Sequence, residues 1–387
     1  MSIALSDRSK FLVQSEIRNM SIECDKLGGI NLSQGICDLP IPNEIAEGVN
    51  FGIKQGFNQY TRYDGIVELR VAISKKVKKY NKFDVDPEKN IVVSAGATGA
   101  FYSACLALLN EGDEVIIFEP YYGYHINTIK AAGAVPKFVK MTGSDWQISF
   151  SDLESAVTER TKAIMINTPA NPSGKVFTRD ELEKLADFAI KHDIFIFTDE
   201  IYEYIVYDDR EFISPASISR IFDRTILISG YSKTFSITGW RIGYCVCHEK
   251  WKDMIGYIND LVYVCAPAPL QFGVAYGCER IPDSFYDNLR IKYQQKRDLI
   301  CTALLEIGLT PYVPQGAYYV LADVTNVPGQ DSKLKAMHIL QTTGVACVPG
   351  SAFFHDNGGD NLVRFCFAKD EVELREACNR LKNLVIN

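Results

Sequence analysis

The chain has 387 residues, 47% of them hydrophobic, enough to bury a large core and to build two or three domains' worth of structure. A formal charge of -7 and an isoelectric point near 5.4 argue against the basic face that a polyanion requires, so no nucleic-acid partner is expected. Eleven scattered cysteines without a C-x-x-C spacing read as reduced core thiols of a cytoplasmic protein, and five histidines with no His/Cys cluster predict no metal site.

A short N-terminal helix is expected, with apolar residues at Phe11, Ile17 and Met20. It starts without the long apolar core of a secretory leader. Gly28 and Gly29 mark a turn, and Pro40 and Pro42 a loop-rich passage. From Glu44 to about Arg280, helical stretches alternate with short apolar runs at 91–93, 115–118, 163–166, 194–197 and 226–228. This alternation predicts an α/β fold whose mainly parallel sheet is covered by helices on both faces. The first run leads through Gly96-Ala97-Thr98-Gly99 into an amphipathic helix ending near Asn110, and Thr178 with Glu181 forms a capping box for a helix to about His192. The uncharged stretch 261–278 nearly reaches membrane-spanning length, but Pro267, Pro269 and Gln271 interrupt it, so it reads as a buried loop entering a helix and no membrane contact is expected. From Pro282 the pattern changes to a long helix ending near Glu306, strands near 318–322, 345–348 and 363–367, and a closing helix from Asp370. That order predicts a smaller α+β domain.

The chemistry concentrates where the apolar runs end. Lys233 follows the run 226–228 in a turn rich in small and hydroxyl residues, with Arg241 further on in Gly239-x-Arg241-x-Gly243. A lysine at a strand end, deprived of water, has a depressed pKa, and its neutral amine can attack a carbonyl carbon to form a C=N link. Asp199 and Tyr202 follow the run 194–197, and Asn171 sits in a loop stiffened by Pro169 and Pro172. The Gly96–Gly99 turn presents the free N–H groups of a helix start, a ready phosphate site. An amine, a carboxylate, a phenol, an amide and a phosphate cradle together suit pyridoxal 5′-phosphate (PLP). In that reading Lys233 takes the aldehyde, and Gly96, Ala97, Thr98 and Arg241 take the phosphate. Asp199 keeps the pyridine nitrogen protonated, while Asn171 and Tyr202 bond the ring oxygen.

The segments Asn171-Pro-x-Gly, Asp199-x-x-Tyr202, Ser232-Lys233 and Gly239-x-Arg241-x-Gly243, in this order, resemble the class I/II aminotransferases, fold-type I PLP enzymes related to aspartate aminotransferase. The resemblance covers nearly the whole chain. It implies a large PLP-binding domain at 44–281, a small C-terminal α+β domain at 282–387, and a 1–43 segment that joins the small domain. By the same resemblance Tyr122 stacks on the cofactor ring, His125 supports Asp199, and Arg364 with Gly35 and Asn171 receives the substrate α-carboxylate. Tyr60 would cross a homodimer interface to the partner's active site. Many relatives carry a hydroxyl residue where this chain has Gly230, so Ser229 or Ser232 is expected to serve the phosphate instead.

The activity implied is ping-pong transfer of the α-amino group from an L-amino acid to a 2-oxo acid such as 2-oxoglutarate, with Lys233 as the general base. Some relatives that favour aspartate carry a lysine where Thr98 stands here. Tyr60, Tyr63, Tyr122, Tyr124 and Tyr318 suggest an aromatic-rich pocket for neutral, aromatic or methionine-like donors. Aspartate transamination and PLP-dependent C–S β-elimination are the alternatives. A regulator built on this fold would need an effector or DNA-binding segment before Gly28, and none is evident there.

Overall fold

The computed structural model describes residues 4, 6, 9–10 and 14–386. The expected apolar position Phe11 lies outside the described residues. Ile17 and Met20 fall on the helix Glu16–Lys26, whose first turn is capped by the Ser15 hydroxyl. A short strand β1 (Ile30–Asn31) follows.

Eight strands then form one sheet: β2 (Ile91–Ala95), β3 (Glu114–Glu119), β4 (Val135–Thr142), β5 (Gln147–Ile148), β6 (Thr161–Asn167), β7 (Phe195–Asp199), β8 (Thr225–Gly230) and β9 (Ile242–Val246). Their order is β2-β9-β8-β7-β6-β3-β4-β5. Strands β8, β7, β6, β3 and β4 run parallel, while β9 lies antiparallel between β2 and β8. Both faces are covered, which explains why the strands read as unbroken apolar runs. On one face Ile116, Ile164 and Ile196 pack with Leu182, Leu185 and Phe188 of the helix Arg179–Lys191. On the other, Ile117, Met165 and Phe197 pack with Phe101 and Ala104 of the helix Gly96–Leu108. Successive residues of one strand thus serve opposite cores.

The helix Arg179–Lys191 carries the expected capping box, with both the Thr178 and Glu181 side-chain bonds in place. Strand β4 escaped the sequence reading because Lys137 and Lys140 break its apolar run. The stretch 261–278 requires a correction. The helix Glu249–Tyr263 runs into it, Leu261 is 81% exposed with Val262 and Val264 beside it, and only a short connection precedes the helix Ala268–Arg280. The expected entry into a helix is met by Ala268–Arg280, which buries Gln271 and Val274, while lack of charge at Leu261, Val262 and Val264 marks an apolar surface rather than a buried loop. Among the described residues, no helix is long and apolar enough to cross a membrane.

After the helix Asp283–Glu306 come β10 (Thr310–Tyr312), β11 (Tyr319–Asp323), the helix Ser332–Thr343, β12 (Val345–Ala346), β13 (Val348–Pro349), β14 (Leu362–Cys366) and the helix Glu371–Leu381. The sheet β10-β11-β14-β13 is antiparallel, and β1 pairs parallel with β12. Met20, Cys24, Ile30 and Leu32 share a core with Val345, Phe365 and Leu381, so the N-terminal segment packs with the C-terminal elements.

Candidate active site

Parallel strands deliver their C-terminal ends to one edge of a sheet, where ligand crevices form. Here Asn167 ends β6, Asp199 ends β7 and pairs in register with Asn167, and Lys233 lies just beyond β8. The helix Gly96–Leu108 starts at the same edge, directly after β2. These ends border a cavity of about 600 Å³ lined by Gly35, Ala97, Thr98, Tyr122, His125, Asn171, Asp199, Tyr202, Ser232, Lys233, Arg241 and Arg364, among others.

Lys233 Nζ donates to the Gly35 carbonyl at 3.0 Å, and burial lowers its pKa from the ordinary lysine value. Across the cavity floor, His125 Nε2 lies 2.9 Å from Asp199 Oδ2, and both residues are buried. Asp199 Oδ1 accepts from the Ile201 N–H at 3.1 Å, which holds the carboxylate at the strand end. Asn167 Nδ2 donates to the Asp199 carbonyl at 3.0 Å while its Oδ1 accepts from the Asn171 N–H at 2.7 Å. The proline loop is thereby tied to the strand that carries Asp199.

Arg364 is completely buried on β14. Its Nη1 donates to Asn171 Oδ1 at 2.8 Å and its Nη2 to the Ser33 carbonyl at 2.6 Å, whereas its Nε has no partner. Among the described residues no carboxylate pairs with this guanidinium. A buried charge without a counter-ion is costly, so the site is built to receive an anion.

Gly96, expected to touch the phosphate, sits beneath the Arg241 side chain instead of on the cavity wall. A Cβ there would lie 2.4 Å from Arg241 Nη2, and Gly96 has φ +73°. Arg241 itself has φ 58° and donates from Nη1 to the Thr238 carbonyl at 2.8 Å. The two serines separate cleanly: Ser232 lines the cavity, while Ser229 Oγ turns away and donates to Glu203 Oε1 at 3.0 Å. Gly230 pairs with Gly243, and a Cβ at position 230 would sit 2.9 Å from the Gly243 Cα, so β9 leaves no room for a hydroxyl side chain there.

Of the tyrosines expected around the pocket, Tyr122 and Tyr124 line the cavity. Tyr122 packs edge-on against His125 at 5.3 Å. Tyr63 instead donates to Asp253 at 2.8 Å and packs on Tyr257. Tyr318 is turned behind the wall, its hydroxyl 3.3 Å from the Gly35 carbonyl, and the neighbouring Tyr319 takes the cavity position. Tyr60 does not reach this cavity. It is 84% exposed and borders a separate hollow with Asn58, Cys265 and Pro267. Sequence reasoning also passed over Phe101, Asn167 and Arg18. Asn167 opens the Asn-x-Pro loop, and that strand-end position was the signal for it.

Elsewhere, Glu119, His355 and Asp356 bring potential ligand atoms within 4.8 Å of one another. Lys140 pairs with Asp356 at 2.6 Å and Glu119 Oε2 lies 2.9 Å from His355 Nδ1, so these groups satisfy one another.

Residues 28–381 match the family model described as aminotransferase class I and II. An aspartate aminotransferase of Pyrococcus abyssi is 34% identical over 99% of this chain and 98% of its own. A kynurenine–oxoglutarate transaminase of Dictyostelium discoideum is 33% identical over 93% and 91%. An Escherichia coli structure, reported with a methionine aminotransferase function, superposes with a TM-score of 0.94 at 31% identity over 99% of this chain and all of that one. By the length and identity of these matches, the fold is that of the fold-type I aminotransferases, and the chain belongs to the class I and II aminotransferase family.

Proposed function

We propose that this aminotransferase uses PLP to move the α-amino group of a neutral, aromatic or methionine-like L-amino acid to a 2-oxo acid such as 2-oxoglutarate. One observation carries the reading: the half-buried Lys233 and the fully buried Arg364, both without a carboxylate partner among the described residues, face one cavity with the Asp199–His125 pair.

The residues present fit the cofactor. The first turn of the helix Gly96–Leu108, with Ala97 and Thr98 on the wall, Ser232 and Arg241 would hold the phosphate. The ring would lie against Tyr122, with Asp199 at its nitrogen and Tyr202 and Asn171 at its oxygen. Asn171 Oδ1 is engaged by Arg364, so its Nδ2 is the atom left to donate. When bound, PLP supplies an electron sink for the charge left on Cα.

The chain's own groups do the rest. Burial lowers the Lys233 Nζ pKa and favours its neutral form, so it can take a proton from Cα and return it to the cofactor carbon C4′ on the far side of the nitrogen. The Asp199 carboxylate keeps the ring nitrogen protonated, and His125 Nε2 fixes its orientation. Arg364 binds the α-carboxylate through the fork that lysine lacks, and the Gly35 backbone, whose carbonyl accepts from Lys233, would lie beside it.

We assign the donor class from the lining: Tyr122, Tyr124, Tyr319, Phe101 and Ile17 give an aromatic and aliphatic wall. A second reading, an acidic donor, is favoured by Arg18, a cation at the same cavity, and by the Pyrococcus abyssi relative. The active unit proposed is a homodimer. Tyr60 is exposed and borders a hollow with Cys265 and Pro267, the connection that follows the exposed Leu261, Val262 and Val264 in the chain, and a second copy would cover this surface and receive Tyr60 at its cavity. The division at residues 43 and 281 is likewise proposed, supported by the β1–β12 pairing. Eleven free cysteines suit a reducing, cytoplasmic setting.

The test is a visible spectrum of purified protein titrated with single amino acids and no oxo acid. The carbonyl form of the cofactor should convert to its amino form, fastest with the best donors. Pyruvate released from cysteine conjugates without an acceptor would favour β-elimination, and a protein that gains no band with PLP would overturn the reading.

A further inference from the structure

Tyr319 was not expected at the site, yet it touches both of its halves. It opens β11, which pairs antiparallel with β14 so that Tyr319 faces Cys366 and Leu321 faces Arg364. On an antiparallel pair, Tyr319 and Arg364 are therefore diagonal neighbours on one face. The Arg364 guanidinium carbon lies 4.2 Å from the centre of the Tyr319 ring and 5.0 Å from that of Phe353. Both rings lie within cation–π reach of it. The Tyr319 hydroxyl lies 3.0 Å from the Tyr202 hydroxyl, and the rings meet edge-on. Among the described residues Tyr202 is the hydrogen-bond partner of that hydroxyl. Its oxygen also abuts Gly35, where a Cβ would come within 1.9 Å.

We propose that Tyr319 is a positioning residue that couples the two recognition groups: its hydroxyl donates to Tyr202 Oη and its ring braces the Arg364 guanidinium. This rests on the cofactor reading above. With its oxygen accepting from Tyr319, Tyr202 turns its own proton into the cavity, toward the ring oxygen of PLP. A donor that itself accepts a hydrogen bond donates more strongly. The brace holds Arg364 with its fork open although no counter-ion fixes it. Glycine at position 35 is then required by the Tyr319 hydroxyl.

Phenylalanine and leucine at position 319 separate the two roles, because Tyr319→Phe keeps the ring and Tyr319→Leu loses both. Two quantities are read on the PLP-loaded protein: the pH midpoint of the bound cofactor's visible band, and the affinity for 3-phenylpropionate, which has a carboxylate but no amine, by calorimetry. Tyr319→Phe should move the midpoint upward, because a weaker Tyr202 donor stabilises the ring oxyanion less, and leave 3-phenylpropionate binding within about twofold. Tyr319→Leu should show the same midpoint shift and bind 3-phenylpropionate roughly threefold to thirtyfold more weakly. In the Tyr202→Phe background, Tyr319→Phe should add no further shift, a coupling that a merely structural role would not produce.

An unmoved midpoint in Tyr319→Phe, or a shift that adds fully to that of Tyr202→Phe, overturns the hydroxyl role. Equal affinity in the phenylalanine and leucine variants overturns the brace. A wild-type protein that takes up no PLP overturns the cofactor reading and the hydroxyl role together, while the calorimetric comparison on the same protein still decides the brace.

Discussion

Lys76 and Lys233 are two half-buried lysines with opposite fates. Lys76 Nζ pairs with Glu203 and also donates to Asn81 Oδ1 at 2.9 Å and the Tyr244 hydroxyl at 3.0 Å. Glu203 in turn accepts from Asn81 Nδ2 at 2.9 Å and from Ser229 at 3.0 Å. Burial pulls the Lys76 pKa down, but Glu203 and Tyr244 overcome it and the value ends above that of an ordinary lysine. For Lys233 the hydrogen-bond partner among the described residues is the Gly35 carbonyl, desolvation prevails, and its value falls. Glu203 directly follows Tyr202, so the two environments share one turn of chain. A buried charge with its partners in place cross-links the fold, whereas one left without a partner marks the place where a ligand belongs.

Four experiments probe that contrast. The largest effect is expected for Lys233→Met, which removes the covalent attachment point and the base. Turnover should fall by several powers of ten, since positioned proton transfer alone is worth roughly 10² to 10⁴. Borohydride treatment should leave no cofactor mass on the variant protein, and retained mass there would place the attachment elsewhere. Arg364→Lys keeps the charge and loses the fork. At about 1.5 to 3 kcal/mol for each of two charge-assisted bonds, kcat/KM should drop by roughly 10² to 10⁴. A drop under tenfold would mean that the carboxylate binds at another group.

Lys76→Met tests the opposite side. It strands Glu203 without its cation and should lower the unfolding free energy by about 3–5 kcal/mol in a denaturant titration, with ligand affinity at the cavity nearly unchanged. Glu203→Gln in the same chain should recover part of the loss. If Lys76→Met instead abolishes ligand binding and leaves stability intact, the two lysines do not divide in this way.

The smallest effect is a pH dependence of the PLP-free protein. Lys233 binds its proton less tightly folded than unfolded, so between the two pKa values the unfolded chain holds more protons and stability rises with pH. Below the folded value the fold bears the full cost of a buried ammonium; above the unfolded value, near 10.4, that cost is gone. Lys233→Met should therefore be the more stable apoprotein at neutral pH, by a margin that shrinks toward pH 10. Melting curves with a margin that stays constant or widens would contradict the lowered pKa.

Much of the site could be read from the chain because the polar groups sit where apolar runs stop. Asp199 ends β7 while Asn171 and Lys233 follow β6 and β8, and a parallel sheet brings those ends together without further information. The choice between Tyr318 and Tyr319 could not be read, since both are tyrosines and a shift of one residue along a strand exchanges its faces. Ser229 and Ser232 posed the same problem, settled by Glu203 beside one and the cavity beside the other. Leu261 and Val262 look alike in composition whether they face a core or the outside. Arg18 is brought to the cavity only by the packing of a distant helix.

Sequence alone determined the fold class, the covering of the sheet on both faces and the inventory of reactive groups, because hydrophobic periodicity and strand-end position are local properties of the chain. Tertiary structure decided which groups were left unsatisfied. Whether a lysine meets a glutamate or a carbonyl, and whether an arginine meets an asparagine, depends on residues more than a hundred positions apart in sequence. Such contacts follow from packing, and no local pattern encodes them.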